Sequence, residues 1–144
     1  KYWRDAVQEY AKRLSAFCRF QIIELSEARL PQDPNAAEIA KVLGEESKAI
    51  LAAAGRSALY TLCIEGKLVS STQLAQQIDA AAVNGESSLA FVIGSSHGLD
   101  DSVKQGSKRI SMSPMTFPHQ LARVMLCEQL YRAFSINAGT KYHK

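Results

Sequence analysis

SALYTLCIEGKLVSSTQLAQQIDAAAVNGESSLAFVIGSSHG, residues 57–98, decides the fold class of this chain. SALYTLCIEGK is rich in apolar and aromatic residues and then reaches a glycine, the pattern of a buried strand followed by a turn. SSTQLAQQIDAAAV switches to a 3.6-residue period, a helix with Ser71 or Thr72 as its N-cap. SSLAFVIGSSHG returns to a strand and runs into a Gly/Ser-rich loop. Strands joined through a helix of that length form a βαβ unit, and such crossovers build parallel sheets covered by helices. The expected fold class is therefore α/β, a mostly parallel sheet flanked by helices.

The flanking sequence extends the alternation. Upstream, Trp3, Val7, Tyr10, Leu14 and Phe17 recur at helical steps. FQIIEL (20–25) reads as a strand, and a proline-containing loop ends near Asn35. A helix over Ala36–Ala54 then stops at Gly55. Downstream, DDSVKQGS is a short helical piece with Asp100 and Asp101 at its N-cap, KRISMS is a short strand, and a last helix runs from Pro118 to about residue 134. The chain opens inside a helix, so a short N-terminal strand of the natural protein is expected to be missing. The 144 residues are expected to form a single domain, 1–144.

Seventeen Lys and Arg against fourteen Asp and Glu leave a net charge of only +3, too little to argue by itself for a polyanionic partner. Cys18, Cys63 and Cys127 lie far apart without CxxC spacing and read as buried free thiols. Without an apolar run of the ~18 to 20 residues a membrane span requires, a cytoplasmic protein is expected. There is no GKS or GKT phosphate loop, and no carboxylate pair, Ser/His/Asp array or metal-ligand cluster stands out. Hydrolysis, nucleotide triphosphate chemistry and metal catalysis are disfavoured. A reaction whose electrophile arrives preactivated on a cofactor remains compatible.

In open parallel sheets, ligands collect outside the carboxyl ends of the strands. The three loops in that position are IEGK, IGSSHG and SPMTFP. Gly94 and Gly98 permit close backbone approach to a ligand, or simply make a tight strand-to-helix turn. Met115 and Phe117 are suited to a flat ring such as adenine, with the Ser113 and Thr116 backbones at its edge, or are ordinary core residues. Pro118 loses nothing at a helix start, and His119 lies in a first turn, where the macrodipole disfavours imidazolium. Arg123 and Arg132 are either solvated, with Glu128 as a partner, or reach a phosphate or a neighbouring subunit. The tail NAGTKYHK is either a frayed terminus or a flexible RNA-contacting segment.

FVIGSSHG, the block SMSPMTFPHQLARVMLCEQLYRAFSI and the final YHK together resemble the RlmH family of SPOUT RNA methyltransferases. That resemblance covers nearly the whole chain. It implies an α/β fold whose C-terminal part is threaded as a deep trefoil knot, and a homodimer with the final helix at its interface. It further implies methyl transfer from S-adenosylmethionine to N3 of a pseudouridine in the large-subunit ribosomal RNA; because a charge of +3 offers few phosphate contacts, that RNA is expected to be recognised in the assembled ribosome. Cofactor contacts would fall on Leu62, Gly94, Ser95, Ser113, Pro114, Met115, Thr116, Phe117 and Pro118, with no metal. The catalytic and RNA-facing candidates are His119, Arg123, Arg132, Tyr142 and His143. Arg132 or Arg123 would favour the anionic base, and His119 or His143 would be the nearest proton acceptor. Ser95 stands where the family has a second glycine, so binding there would use the backbone amide. A SPOUT enzyme acting on a transfer RNA ribose 2′-hydroxyl and a non-catalytic RNA-binding protein are the competing readings.

Overall fold

The computed structural model describes residues 1–26, 29–94 and 97–144. Its elements are α1 (Tyr2–Leu14), α2 (Ala36–Ala54), β1 (Ala58–Leu68), α3 (Ser71–Val83), β2 (Leu89–Ile93), α4 (Asp101–Gln105), β3 (Lys108–Ser111) and α5 (His119–Ala138). They sort into two compact units that interleave along the chain. One comprises Lys1–Ile22, Leu68–Ser87 and Met115–Lys144; the other comprises Ile23–Lys67 and Ser88–Pro114.

The second unit carries the sheet, in the order β2-β1-β3. β1 and β2 are parallel, in a register running from Ala58 opposite Leu89 to Leu62 opposite Ile93. The βαβ reading and the α/β class therefore hold. Tyr60, fully buried on β1, stacks on Phe91 of β2 at 4.7 Å between ring centroids. α2 packs with α4, and α4 packs with β3. Asn35 caps α2 with its side chain on the Glu38 amide while Glu38 reaches back to the Asn35 amide, a reciprocal box, and Gly55 ends the helix at φ 58°. Asp100 caps α4 by accepting from the Ser102 amide.

Two strand-and-turn expectations fail. IEGK is not a loop, because β1 continues through it to Leu68. Gly66 reads as a turn residue, yet a Cβ there would lie 2.8 Å from the Ile110 backbone; glycine is what allows β1 and β3 to approach. FQIIEL is not a strand in this structure. Its β-favouring side chains need a neighbouring ladder and one buried face, whereas Ile22, Ile23 and Leu25 are 39%, 52% and 41% exposed.

The first unit is helical. α5 packs against both α1 and α3, which is why apolar residues occur around much of its circumference. Ser71 Oγ donates to Gln129 Oε1 at 2.6 Å, and Asn137 Nδ2 donates to the Ala75 carbonyl at 3.0 Å, so the first half of α3 is joined to the second half of α5. Phe17, just past α1, stacks on Phe134 at 5.9 Å. The cap of α3 is Ser70, not Ser71 or Thr72; only Ser70 shares a reciprocal box with Gln73. Pro118 is the N-cap of α5 rather than its first residue, and the helix continues to Ala138, past 134, because no breaker intervenes before Gly139 turns left-handed at φ 75°.

Cys127 is buried, whereas Cys18 and Cys63 are half-buried; all three are free. Among the described residues no helix is long and apolar enough to cross a membrane, and no group of three or more His, Cys, Asp or Glu is placed to hold a metal ion.

Candidate active site

In the sheet-bearing unit, the parallel register sets Leu62 beside Ile93, the last residue of β2, so that Gly94 leaves the sheet next to it. A Cβ on Gly94 would lie 2.6 Å from the Gly98 carbonyl oxygen and 2.7 Å from Leu99 Cγ. Only glycine fits where the loop's return limb presses on its start. Gly98 is itself at φ 86°, a conformation costly for any residue with a side chain. Ser95, expected to bind cofactor here, lies outside the described residues. On the far side of β1, the end of β3 is folded over by its own serine. Ser111 Oγ accepts from the Ser113 amide at 3.3 Å and donates to the Ser113 carbonyl at 2.9 Å. Leu62, Gly94, Ser113 and Pro114 thus belong to one unit, on strands adjacent in the sheet or on the turns that leave them.

The remainder of SPMTFP belongs to the helical unit. Met115 is 70% exposed, which excludes the core role for it. Thr116 and Pro118 are exposed, and Phe117 is half-buried. His119 opens α5 with an exposed side chain, and no acidic residue shares its first turn. Arg123 follows one turn later, half-buried.

The other three catalytic candidates converge around a carboxylate. Arg132 donates from Nη2 to Glu128 Oε2 at 2.6 Å and from Nε to Glu128 Oε1 at 3.3 Å. Tyr142 OH donates to the same Oε2 at 2.8 Å. Arg132 Nη1 meets His143 Nδ1 at 3.0 Å, and the guanidinium lies over the Tyr142 ring, 4.9 Å from its centroid. Tyr142 in turn stands edge-on to Tyr131 at 4.7 Å. The tail is therefore not a free terminus. It folds back because Gly139 reverses the chain and the Thr140 amide and hydroxyl both donate to the Ser135 carbonyl, at 3.0 and 3.2 Å.

Electrostatics follow from this packing. Burial, then donation to Glu128 and contact with Tyr10, push the Tyr142 phenol well above its ordinary value, so it stays protonated. The hydrogen bond to Glu128 outweighs partial burial and raises Arg132 further, keeping it a fixed cation. With side-chain exposures of 24% for Arg132 and 17% for Glu128, this pair is shielded enough to be more than a surface ion pair.

One chain does not unite all five candidates. Nine residues separate Arg123 from Arg132, which on an α-helix is about 13 Å of rise and half a revolution. His119 is about 20 Å along the axis from Arg132 by the same rise. Glu128 had appeared in the sequence only as a partner for an arginine. Its i,i+4 spacing to Arg132 was legible, but its bond to Tyr142, fourteen residues away, depends on a chain reversal that spacing does not reveal.

The family model described as "Predicted SPOUT methyltransferase" matches residues 1–143. A protein of Exiguobacterium sibiricum named "Ribosomal RNA large subunit methyltransferase H" is 45% identical over 146 aligned positions, covering all of this chain and 92% of that protein. A protein of Levilactobacillus brevis with the same name is 44% identical over 146 positions with the same coverage.

Proposed function

Since the chain belongs to the SPOUT methyltransferase family, we propose that it transfers a methyl group from S-adenosylmethionine to N3 of a pseudouridine in large-subunit ribosomal RNA. The names of its relatives support the ribosomal substrate. The observation that carries the cofactor assignment is Gly94, whose missing side chain lets the Gly98 backbone come against it beside Leu62. Bound there, the cofactor would supply an activated methyl on a positively charged sulfur.

In this reading, the backbone at Leu62, Gly94, Ser95 and Ser113 offers hydrogen bonds to the cofactor's polar edges, with Pro114 holding the turn. Met115, Phe117 and Pro118, which continue that loop along the chain, contribute apolar cover for a flat ring, and the Thr116 backbone serves its edge. The tail cluster of Arg132, Tyr142 and His143 faces RNA, and positive charge from Arg132 favours the base once it has lost its N3 proton. His119 and Arg123, half a helix away, serve the same reaction when a second copy of the chain supplies one of the two groups. A homodimer with α5 at its interface is thus part of the proposal, as are the trefoil knot, residues 1–144 as one functional domain, and action in the cytoplasm, where ribosomes are assembled.

The net charge of +3 allows few phosphate contacts per chain, so recognition depends on folded ribosomal context. Calorimetry with S-adenosylmethionine, followed by nucleoside analysis of ribosomes treated with enzyme, tests the assignment. Saturable heat and a base-methylated pseudouridine are expected, with no turnover on a short free hairpin. No heat would leave a non-catalytic RNA-binding protein, and a 2′-O-methylated transfer RNA would replace the substrate.

A further inference from the structure

The tail cluster has a directionality that the reading above does not require. A guanidinium has N–H donors and no acceptor. Arg132 therefore donates at each of its three contacts, from Nε and Nη2 to Glu128 and from Nη1 to His143. His143 Nδ1 must accept, which leaves the ring's single proton on Nε2. Tyr142 likewise directs its hydroxyl proton at Glu128 Oε2. The carboxylate thus turns Arg132 so that its remaining edge sets the histidine tautomer.

We propose that Glu128 is a positioning residue that holds His143 as a hydrogen-bond donor, through Nε2–H, for a negatively charged nucleobase edge. The inference rests on the methyltransferase reading and changes the role expected for His143. An imidazole whose Nδ1 accepts from Arg132 and whose Nε2 carries a proton has no site left to take one from the base. The N3 proton would instead leave to water. The deprotonated pseudouridine, negative at N3 and its flanking carbonyl oxygens, would meet His143 Nε2–H and the Arg132 cation, and its N3 lone pair would form the new bond to the methyl carbon as the carbon–sulfur bond breaks. Tyr10 and Arg13 of α1 and Tyr131 of α5 also lie around Tyr142 and Arg132. The carboxylate that α1 adds there, Glu9, is held by Arg13 at 2.8 Å.

The decisive measurement needs no turnover. Two-dimensional imidazole ¹H–¹⁵N spectra of the full-length wild-type protein, with His143 assigned by comparison with His143→Gln, report which ring nitrogen bears the proton. The Nε2–H tautomer is expected near neutral pH; an Nδ1–H tautomer would overturn the proposal whatever the enzyme's substrate. In Glu128→Gln the Nε2–H preference should weaken, and single-turnover methylation should fall roughly 10- to 100-fold with unchanged S-adenosylmethionine affinity. Glu128→Asp should recover part of both. A Glu128→Gln protein with wild-type rate and an unchanged His143 spectrum would equally defeat it. If that variant fails to fold, the wild-type spectrum still decides. Wild-type protein that shows the expected tautomer but methylates nothing would fault the methyltransferase reading rather than the role of Glu128.

Discussion

At the residue scale, two positions carry the sharpest expectations. Gly94→Ala places a methyl group 2.6 Å from a backbone oxygen that cannot swing aside. The loop must shift, at a cost of about 1–3 kcal/mol in stability. A thermal melt should show the loss, and added S-adenosylmethionine should restore less of it than in wild type. Tyr142 sets a pH dependence. Its folded phenol ionises above the ordinary value of 10.0 because it is partly buried and donates to Glu128. A raised acid favours folding while it remains protonated in both states, and this contribution disappears as pH climbs through the unfolded value toward the folded one. Urea unfolding from neutral pH upward should therefore show a decline beginning near pH 10 that is shallower in Tyr142→Phe. Neither position announced itself in the sequence by composition alone. The sequence marks Gly94 as a ligand-loop or tight-turn glycine, but the Gly98 carbonyl that makes it obligatory is visible only once the loop is folded. Tyr142 was read as part of a flexible tail, because a two-residue anchor to a helix fourteen positions upstream leaves no periodic trace.

At the scale of elements, the readings that succeeded had local causes. The bounds of α2 followed from Asn35 and Gly55, residues that start and stop a helix through their own backbone and side-chain chemistry. The α3 cap shifted by one residue because Ser70, Ser71 and Thr72 are chemically equivalent candidates and only Gln73 distinguishes them. Ser70→Ala should cost about 1 kcal/mol, measured by chemical denaturation, whereas Ser70→Asp should recover most of it. The readings that failed had non-local causes. FQIIEL has the composition of a strand, but pairing is a property of two segments, and its exposed isoleucines lack the second. Gly66 has the composition of a turn, but its role is set by Ile110, forty-four residues further on.

At the scale of the whole molecule, the separation of His119 and Arg123 from the tail cluster makes a prediction about copies. In a symmetric dimer whose sites each combine the first half of α5 from one chain with the tail of the other, two defective chains can complement. Arg123→Ala protein and protein lacking residues 141–144 should each be inactive. Denatured together and refolded in equal amounts, they should recover about a quarter of wild-type activity, since half the dimers are mixed and each of those has one intact site. No recovery would mean that each chain builds its site alone.

The pairing of α1 with α5 also has a consequence for biosynthesis. The first helix leaves the ribosome with Val7 and Leu14 ready for burial, yet the helix that covers them begins about a hundred residues later. At ordinary elongation rates that interval is roughly 5 to 20 s. Throughout it α1 displays an uncovered apolar stripe, so this helix is made well before it is sheltered, and slowed translation would prolong its exposure to chaperones and proteases.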